Sequence, residues 1–288
     1  MTIQKLSFFG LVVSIFSIIA GAIVRATGSG DGCGASWPTC NGEIIPKLNS
    51  SSELIEFSHR SISGVLVIIT LIIFIRSFKD DIPSLQKRVI WFLTFFVLLE
   101  ALIGAVIVIY EWVGFNSSAP RIIAVPLHLV NTFGLLGAYT LLFHLTRNSK
   151  NSLNNFFDTG FKIGLFLFLL SGATGSITAL ADAIFPSESF ISGLSEDFDS
   201  TSEILTRLRI LHPIFATGLS FYLYFEANRL KNEYKIVTKN IKLLILLGVL
   251  LGVVNVLSNI ILFLSILHLL IADLLWILYV DKSAEKIR

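Results

Sequence analysis

Long apolar runs alternate with short polar segments along the whole chain. Each run has the roughly 17–25 residues that an α-helix needs to cross about 30 Å of hydrocarbon. The runs are continuous, whereas the strands of a transmembrane β-barrel alternate in polarity. The first run is interpreted as a span, not as a cleaved signal peptide ending near Ala20-Gly21-Ala22, because it is long and only Lys5 precedes it. The pattern predicts eight transmembrane helices, at residues 6–24, 55–75, 88–110, 122–146, 160–181, 208–227, 241–257 and 260–280.

The composition agrees with this pattern. Of the 288 residues, 54% are hydrophobic and 15% are charged, whereas soluble domains are about 45–50% apolar and about 25% charged. Membrane lipid is therefore the first expected partner. The net charge of +2 gives no reason to expect nucleic acid.

The Lys and Arg residues indicate the orientation. Sorted by alternate sides of the predicted membrane, sixteen fall on one side and six on the other. The positive-inside rule makes the richer side cytoplasmic. We therefore expect a multi-pass protein of a bacterial-type plasma membrane with both termini inside and with segments 26–54 and 182–206 outside.

Four of the five histidines occupy equivalent positions. His59, His128, His212 and His268 lie on the second, fourth, sixth and eighth spans, each four to eight residues after the span begins. At 1.5 Å per residue this places them about 6–12 Å below the outer surface. A lone intramembrane histidine is often structural, but four at one depth indicate a functional site in the bundle interior. His144 lies near the inner end of the fourth span and is interpreted as an interfacial residue.

The two halves of the chain repeat one plan. Residues 1–150 and 151–288 each have a span, a long outer segment, a histidine-bearing span, a basic inner loop, a span and a second histidine-bearing span. Because each half has an even number of spans, the repeats have parallel topology. The predicted fold is an all-α integral membrane protein, with its eight transmembrane helices forming two pseudo-symmetric parallel four-helix bundles.

Two facing imidazoles in an apolar bundle indicate a bound heme, whose iron they would coordinate. Zinc usually takes further Cys, His or carboxylate ligands, and only the first half offers a nearby candidate, Glu56. Heme takes one or two axial histidines and needs an apolar slot, which the 24 phenylalanines can help to supply. Four arginines at the outer ends of the spans are candidate partners of heme propionates: Arg60, Arg121, Arg207 and Arg209. Ordinary helix-flanking arginines are the alternative.

The halves differ beside their first histidines. Glu56 lies three residues before His59, on the same helix face, whereas Arg209 takes the matching position before His212. A carboxylate at the rim of one heme can move protons, which an enzyme needs and a symmetric electron carrier does not. The alternative is a structural pair between Glu56 and Arg60.

The two cysteines, Cys33 and Cys40, lie together in the predicted outer segment 26–54. On an oxidising side of the membrane, a disulfide across six intervening residues is geometrically easy. Two free thiols are the alternative.

At these residues the chain resembles the heme A synthase family, over nearly its whole length. Each matching piece alone is weak, whereas the combination is highly specific. Two departures are Glu100, where many members have Gln, and the lack of a second cysteine pair between the fifth and sixth spans. The matching motifs are Arg25-Ala26-Thr27-Gly28-Ser29-Gly30, Trp37-Pro38, Cys40-Asn41-Gly42, Glu56-x-x-His59-Arg60, His128-Leu129-Val130-Asn131-Thr132, Gly172-Ala173-Thr174-Gly175, Ala179-Leu180-Ala181-Asp182, Phe185-Pro186, His212-Pro213 and His268.

The resemblance implies oxidation of the C8 methyl of heme O to a formyl group, which gives heme A for cytochrome oxidase. It implies that His59 and His128 hold heme O as substrate, with Glu56 essential, and that His212 and His268 hold a heme b that passes electrons. The cysteine pair resembles the redox-active outer disulfide of one branch of the family. The expected partners are heme O, delivered by a heme O synthase, and an electron donor outside the chain; a homo-oligomer is left open.

Two other classes of protein share part of this pattern. A diheme b-type cytochrome that only transfers electrons accounts for the four histidines but not for Glu56 and the cysteine segment. A transporter with parallel repeats accounts for the symmetry but not for the matched histidines, and its site would lie at broken helices near the membrane centre.

Overall fold

The computed structural model describes residues 1–79, 81–148, 156–229 and 235–285. Within these ranges the regular structure is helical, apart from one isolated bridge between Cys40 and Glu43. The predicted boundary between the halves at residue 150, and the inner basic residues Lys150, Lys231, Lys286 and Arg288, lie outside the described residues. The helices are α1 (Ile3–Ala26), α2 (Ser51–Lys79), α3 (Ser84–Ile109), α4 (Ala119–Arg147), α5 (Thr159–Ile184), α6 (Phe190–Phe198), α7 (Ile204–Leu208), α8 (Leu211–Arg229), α9 (Lys235–Leu257) and α10 (Leu262–Glu285).

Each predicted span coincides with a helix. Seven of them, all except α8, are long and apolar enough by length and composition to cross a membrane. The exception has 19 residues, and its inner end carries the polar residues Glu226, Asn228 and Arg229. The chain is therefore an all-α, multi-pass integral membrane protein.

The sixth predicted span begins later than expected. The apolar pattern places its start at residue 208, whereas α7 ends at Leu208 and α8 begins at Leu211. Arg209 lies in the break, and acceptors in the outer segment bind its guanidinium. Pro213 fits the first turn of α8 because the first N–H groups of a helix have no acceptor within the helix.

The long helices pack in two groups. In the first group, α1 and α3 each pack against both α2 and α4; in the second, α8 lies between α5 and α9, and α9 packs against α10. The groups meet where α4 contacts α5 and α10. There Trp276 donates a hydrogen bond to the Phe133 carbonyl at 3.0 Å and packs edge-on against Phe168. One apolar core runs through both groups.

Two tyrosines pack in the same way in the two groups. A Cβ placed on Gly10 of α1 would overlap the ring of Tyr139, and a Cβ placed on Gly164 of α5 would overlap the ring of Tyr279. Each tyrosine lies eleven residues after the second predicted ligand histidine of its half. In each group a glycine of the first helix thus faces a tyrosine ring of the last, although α1 packs along α4 much more extensively than α5 packs along α10.

Candidate functional site

Each of the four predicted ligand histidines lies against a glycine of the preceding long helix. A Cβ placed on any of these glycines would lie 3.0–3.7 Å from the Cε1 atom of the facing ring. A larger residue would displace the ring, so each glycine forms a seat for one imidazole. The four pairs are Gly21 with His59, Gly104 with His128, Gly175 with His212, and Gly252 with His268.

The structure brings the second pair of histidines together. The ring centroids of His212 and His268 lie 6.1 Å apart, and the ring planes are nearly perpendicular, at 88°. A metal-to-imidazole nitrogen bond is about 2 Å long, so two imidazoles on opposite sides of one ion have centroids roughly 6 Å apart. The pair therefore fits a single six-coordinate iron.

Backbone carbonyls fix the orientation of these two rings. The Nδ1 atom of His212 lies 3.1 Å from the Ser171 carbonyl oxygen, and that of His268 lies 2.9 Å from the Gly248 carbonyl oxygen. A carbonyl can only accept, so each Nδ1 carries a proton. The Nε2 lone pair of each ring is then available for a metal ion.

The first pair of histidines has different Nδ1 partners. His59 and His128 are close enough to interact electrostatically, and the ring of His59 also interacts with the backbone of Ser17. The Nδ1 of His128 lies 3.3 Å from Oε1 of Glu100, a side chain of α3. Neither Nδ1 makes a well-aligned hydrogen bond within the described part of the chain. Hydrogen bonds of this kind are often long in the absence of a ligand and tighten on binding.

Glu56 connects α2 to the cysteine segment. Its carboxylate is 3% exposed, and its Oε2 accepts a hydrogen bond from the Cys33 backbone N–H at 2.8 Å. Its Oε1 accepts from Nε and Nη2 of Arg60 at 3.1 and 2.5 Å. Cys33 and Cys40 form a disulfide, which confirms the predicted bridge and excludes the two free thiols.

Arg60 completes this connection. Its Nη1 donates to the carbonyl oxygens of Ser36 and Thr39, at 2.6 and 2.5 Å. The structure thus contains the pair between Glu56 and Arg60 that was the alternative to a proton-transfer role, and this pair braces the disulfide segment above the first two histidines.

Arg209 has a similar bracing function in the second half. Its guanidinium, 8% exposed as a residue, donates to Asp197 at 2.7 Å and to Asp182 at 3.2 Å. Further contacts join it to Ser187 and Glu196. The arginine therefore ties the outer segment with α6 to the end of α5, next to His212.

Replacing Arg209 by alanine is expected to lower the free energy of unfolding by about 3–5 kcal/mol, because the largely buried carboxylates of Asp182 and Asp197 lose their counter-charge. Thermal or denaturant unfolding of the purified protein in detergent measures this. The matched control is Arg207→Ala, an exposed arginine two residues away, with an expected change within about 0.5 kcal/mol. Equal effects of the two substitutions would contradict a specific role for the Arg209 network.

Two further arginines at the outer ends of helices have unused donors. Arg121, 4% exposed, donates to the carbonyls of Val113 and Asn116, but its Nε has no partner within the described ranges. The buried Nε of Arg25 on α1 likewise lacks a partner there. A buried guanidinium with free donors fits a carboxylate-bearing ligand.

His144 is not a simple interfacial residue. It is 5% exposed, and its Nδ1 lies 2.9 Å from Oδ1 of Asp281. The contact joins α4 to α10, so His144 connects the two groups of helices near the C-terminal ends of α4 and α10.

Sequence reasoning missed the four glycine seats and the contact between Glu100 and His128. A signal for Glu100 was present, because it is the one acidic residue of α3, and an ionisable residue inside a span is by default a candidate functional residue. The glycines gave no such signal, since glycine is common in transmembrane helices.

Comparison with known proteins identifies the family. The chain matches COX15-CtaA, described as cytochrome oxidase assembly protein, over residues 4–53 and 49–280. It is 34% identical over 281 residues, 94% of its length, to a Thermus thermophilus protein named protoheme IX farnesyltransferase, and this match covers 46% of that protein. Over 151 residues it is 35% identical to a heme A synthase of Exiguobacterium, which covers 51% of the chain and 49% of the relative. Over 114 residues it is 36% identical to a heme A synthase of Macrococcus caseolyticus, which covers 39% of the chain and 38% of the relative.

These matches span about half or less of each relative's length. The family match, by contrast, runs through nearly the whole of this chain, including all four glycine-seated histidines, Glu56 and the disulfide. The chain belongs to the COX15-CtaA family of cytochrome oxidase assembly proteins.

Proposed function

We propose that the chain is a heme A synthase, which oxidises the C8 methyl of heme O to a formyl group and so supplies heme A for cytochrome oxidase. The observation that carries the proposal is the geometry of His212 and His268, whose centroid distance of 6.1 Å fits two axial ligands of one heme iron. Family membership and the relatives named heme A synthase support heme O as the substrate.

In this proposal the two halves have different roles. His59 and His128 bind heme O as substrate, with Glu56 as the proposed acid–base residue at its rim. His212 and His268 bind a heme b that passes electrons. The asymmetry of the site supports this division, because Glu56 and Glu100 both lie in the first half, whereas backbone carbonyls orient both histidines of the second.

The proposed reaction is two successive hydroxylations of the methyl group, which give a gem-diol that loses water to leave the formyl group. The heme iron supplies the oxidising chemistry. Each hydroxylation removes two electrons from the methyl carbon. With dioxygen as the oxidant, each one also takes up two electrons and two protons and releases one water, so the proposal includes an electron donor outside the chain. The protein's own residues orient the ring through the seated histidines and place a proton-carrying group, Glu56, at the outer rim.

The proposed topology is eight spans with both termini inside, in which residues 1–150 and 151–288 form two pseudo-symmetric parallel four-helix bundles. The repeated seats for the histidines and for Tyr139 and Tyr279 support this arrangement. A heme O synthase is the proposed source of substrate; the name of the Thermus relative, protoheme IX farnesyltransferase, is consistent with that link.

Arg60, Arg121, Arg207 and Arg209 were predicted to bind heme propionates, and this stays a prediction. Most donors of Arg60 and Arg209 are engaged by protein acceptors. Arg25 and Arg121 fit propionates better, because each has a buried Nε without a partner in the described part of the chain.

Pigment extraction tests the proposal. The full chain is purified from cells that also make heme O, and its hemes are extracted and counted. Heme A is expected in the extract, with b-type heme in the reduced-minus-oxidised spectrum; His212→Ala is expected to remove the b-type signal. The matched control is His144→Ala, which removes a buried histidine that has no glycine seat and should keep both hemes. Bound heme without any heme A would instead support the diheme cytochrome, and no bound heme would overturn both.

A further inference from the structure

The four histidine seats share a second feature. Four residues before each seating glycine, on the same helix, lies a group that interacts with the imidazole ring. At two seats this group is a backbone carbonyl, that of Ser171 or Gly248, and at a third the ring interacts with the backbone of Ser17. At the fourth seat the equivalent residue is Glu100, and its side chain takes the place of the carbonyl.

We propose that Glu100 is a positioning residue that gives the His128 ligand a carboxylate acceptor at Nδ1, and that this acceptor distinguishes the iron of the first half from that of the second. The inference rests on the proposed heme ligation. The role of Glu100 goes beyond the heme ligation, because it assigns to α3 a residue that acts on the iron through His128.

Two side chains of α4 hold the Glu100 carboxylate next to His128. Asn131 donates from Nδ2 to Oε2 of Glu100 at 2.5 Å, and Thr132 donates from Oγ1 to Oε1 at 2.7 Å. Asn131 also donates to the Phe96 carbonyl at 2.9 Å, which anchors it to α3. Glu100 is thus fixed by residues on α4, the same helix that carries His128.

The position of Nδ1 fits an acceptor that tightens on ligand binding. Nδ1 of His128 is buried and makes no aligned hydrogen bond within the described residues, yet it lies 3.3 Å from Oε1 of Glu100. The seat at Gly104 is also the loosest of the four, with 3.7 Å between an added Cβ and Cε1 of the ring. A small rotation of the ring towards the carboxylate closes the hydrogen bond and leaves the Nε2 lone pair available for a metal ion.

A charged acceptor has a different effect from a carbonyl. Hydrogen bonds to an ionised partner are roughly twice as strong as neutral ones, and a carboxylate behind a ligating histidine raises the basicity of the ligand. A more basic imidazole donates more electron density and favours ferric over ferrous iron. The first-half heme should therefore have the lower midpoint potential for a given porphyrin.

Anaerobic redox titration of the purified full chain, holding heme O in the first half and heme b in the second, tests the inference. Glu100→Gln keeps the shape and an acceptor oxygen but removes the charge. It is expected to raise one midpoint potential by about 59 mV, the one-electron equivalent of a tenfold change in the preference for ferric iron. Tenfold is the lower end of the change in metal affinity or activity when a group that supports a ligating histidine is replaced. The second potential should not move, and it serves as the internal control for folding.

A second variant predicts a shift of opposite sign. Thr132→Val removes the hydroxyl donor that competes with His128 for Oε1 of Glu100, so the remaining hydrogen bond strengthens and the same potential should fall. This variant leaves Glu100 and all four histidines in place, and it keeps the test valid if Glu100→Gln does not accumulate.

The two failures are distinguishable. If the wild-type chain binds no heme, the proposed function is wrong. If it binds heme but neither substitution shifts a midpoint potential, or both midpoint potentials shift together, the role of Glu100 is overturned while the heme ligation stands.

Discussion

Replacing Glu56 by alanine is expected to reduce heme A formation on the order of 10²–10⁴-fold, the range of a lost general acid–base residue, while the chain still binds heme. Glu56 lies one helical turn before His59 and its carboxylate is buried beneath the disulfide segment. Heme A and total heme are measured together by extraction from purified protein. Their ratio separates a lost reaction from a lost binding site.

A structural role for Glu56 predicts a different outcome. The carboxylate accepts from Cys33 N–H and from Arg60, so alanine also loosens the segment that covers the first two histidines. Glu56→Gln keeps the shape of the side chain and one acceptor oxygen, for either the Cys33 N–H or Arg60, but it cannot carry a proton as a carboxylate does. It should therefore lose heme A formation while loosening the segment less than alanine does.

Glu53 provides the matched control. It lies one turn before Glu56 on α2, is 5% exposed, and accepts from Asn49 N–H at 2.6 Å and from Asn41 at 3.1 Å. Glu53→Ala thus loosens the same outer segment without removing the proposed proton carrier. Heme A formation should survive in this variant. Equal losses of heme A formation in the two alanine variants, or full activity of Glu56→Gln, would show that Glu56 has only a structural role.

The apolar pattern predicted the helices because the membrane imposes it. Each continuous run of about 20 apolar residues has to form its own backbone hydrogen bonds in lipid, so run and helix coincide. The start predicted for α8 was three residues early, because the polar contacts of Arg209 lie at a break in the apolar run that hydropathy does not show. The disulfide was also predictable, since Cys33 and Cys40 lie close in one short segment.

The partners of the histidines were not predictable from the same pattern. Whether Nδ1 faces a carbonyl or a carboxylate depends on the rotation of one helix against its neighbour, which hydropathy does not encode. Glu56 shows the same limit, because its partner Cys33 N–H lies 23 residues away in the segment between α1 and α2. Only the packed structure joins such groups.

Replacing Gly175 by valine is expected to remove about one of the two hemes from each chain. A Cβ at this position would already lie 3.0 Å from Cε1 and 3.1 Å from Nδ1 of His212. The two further methyl groups of valine cannot be accommodated without displacing the ring, which also breaks the hydrogen bond to the Ser171 carbonyl. The ratio of heme to protein, from absorbance and amino-acid analysis, measures the loss.

Gly218→Val on α8 is the matched control, because a Cβ there meets nothing within 4 Å and the cost in the helix is the same exchange of glycine for valine. This variant should keep both hemes. The first-half heme should survive in Gly175→Val as well, since Gly21 and Gly104 seat His59 and His128 independently. Loss of both hemes would mean that the halves do not bind separately, and retention of both would show that the glycine seat does not hold the ligand.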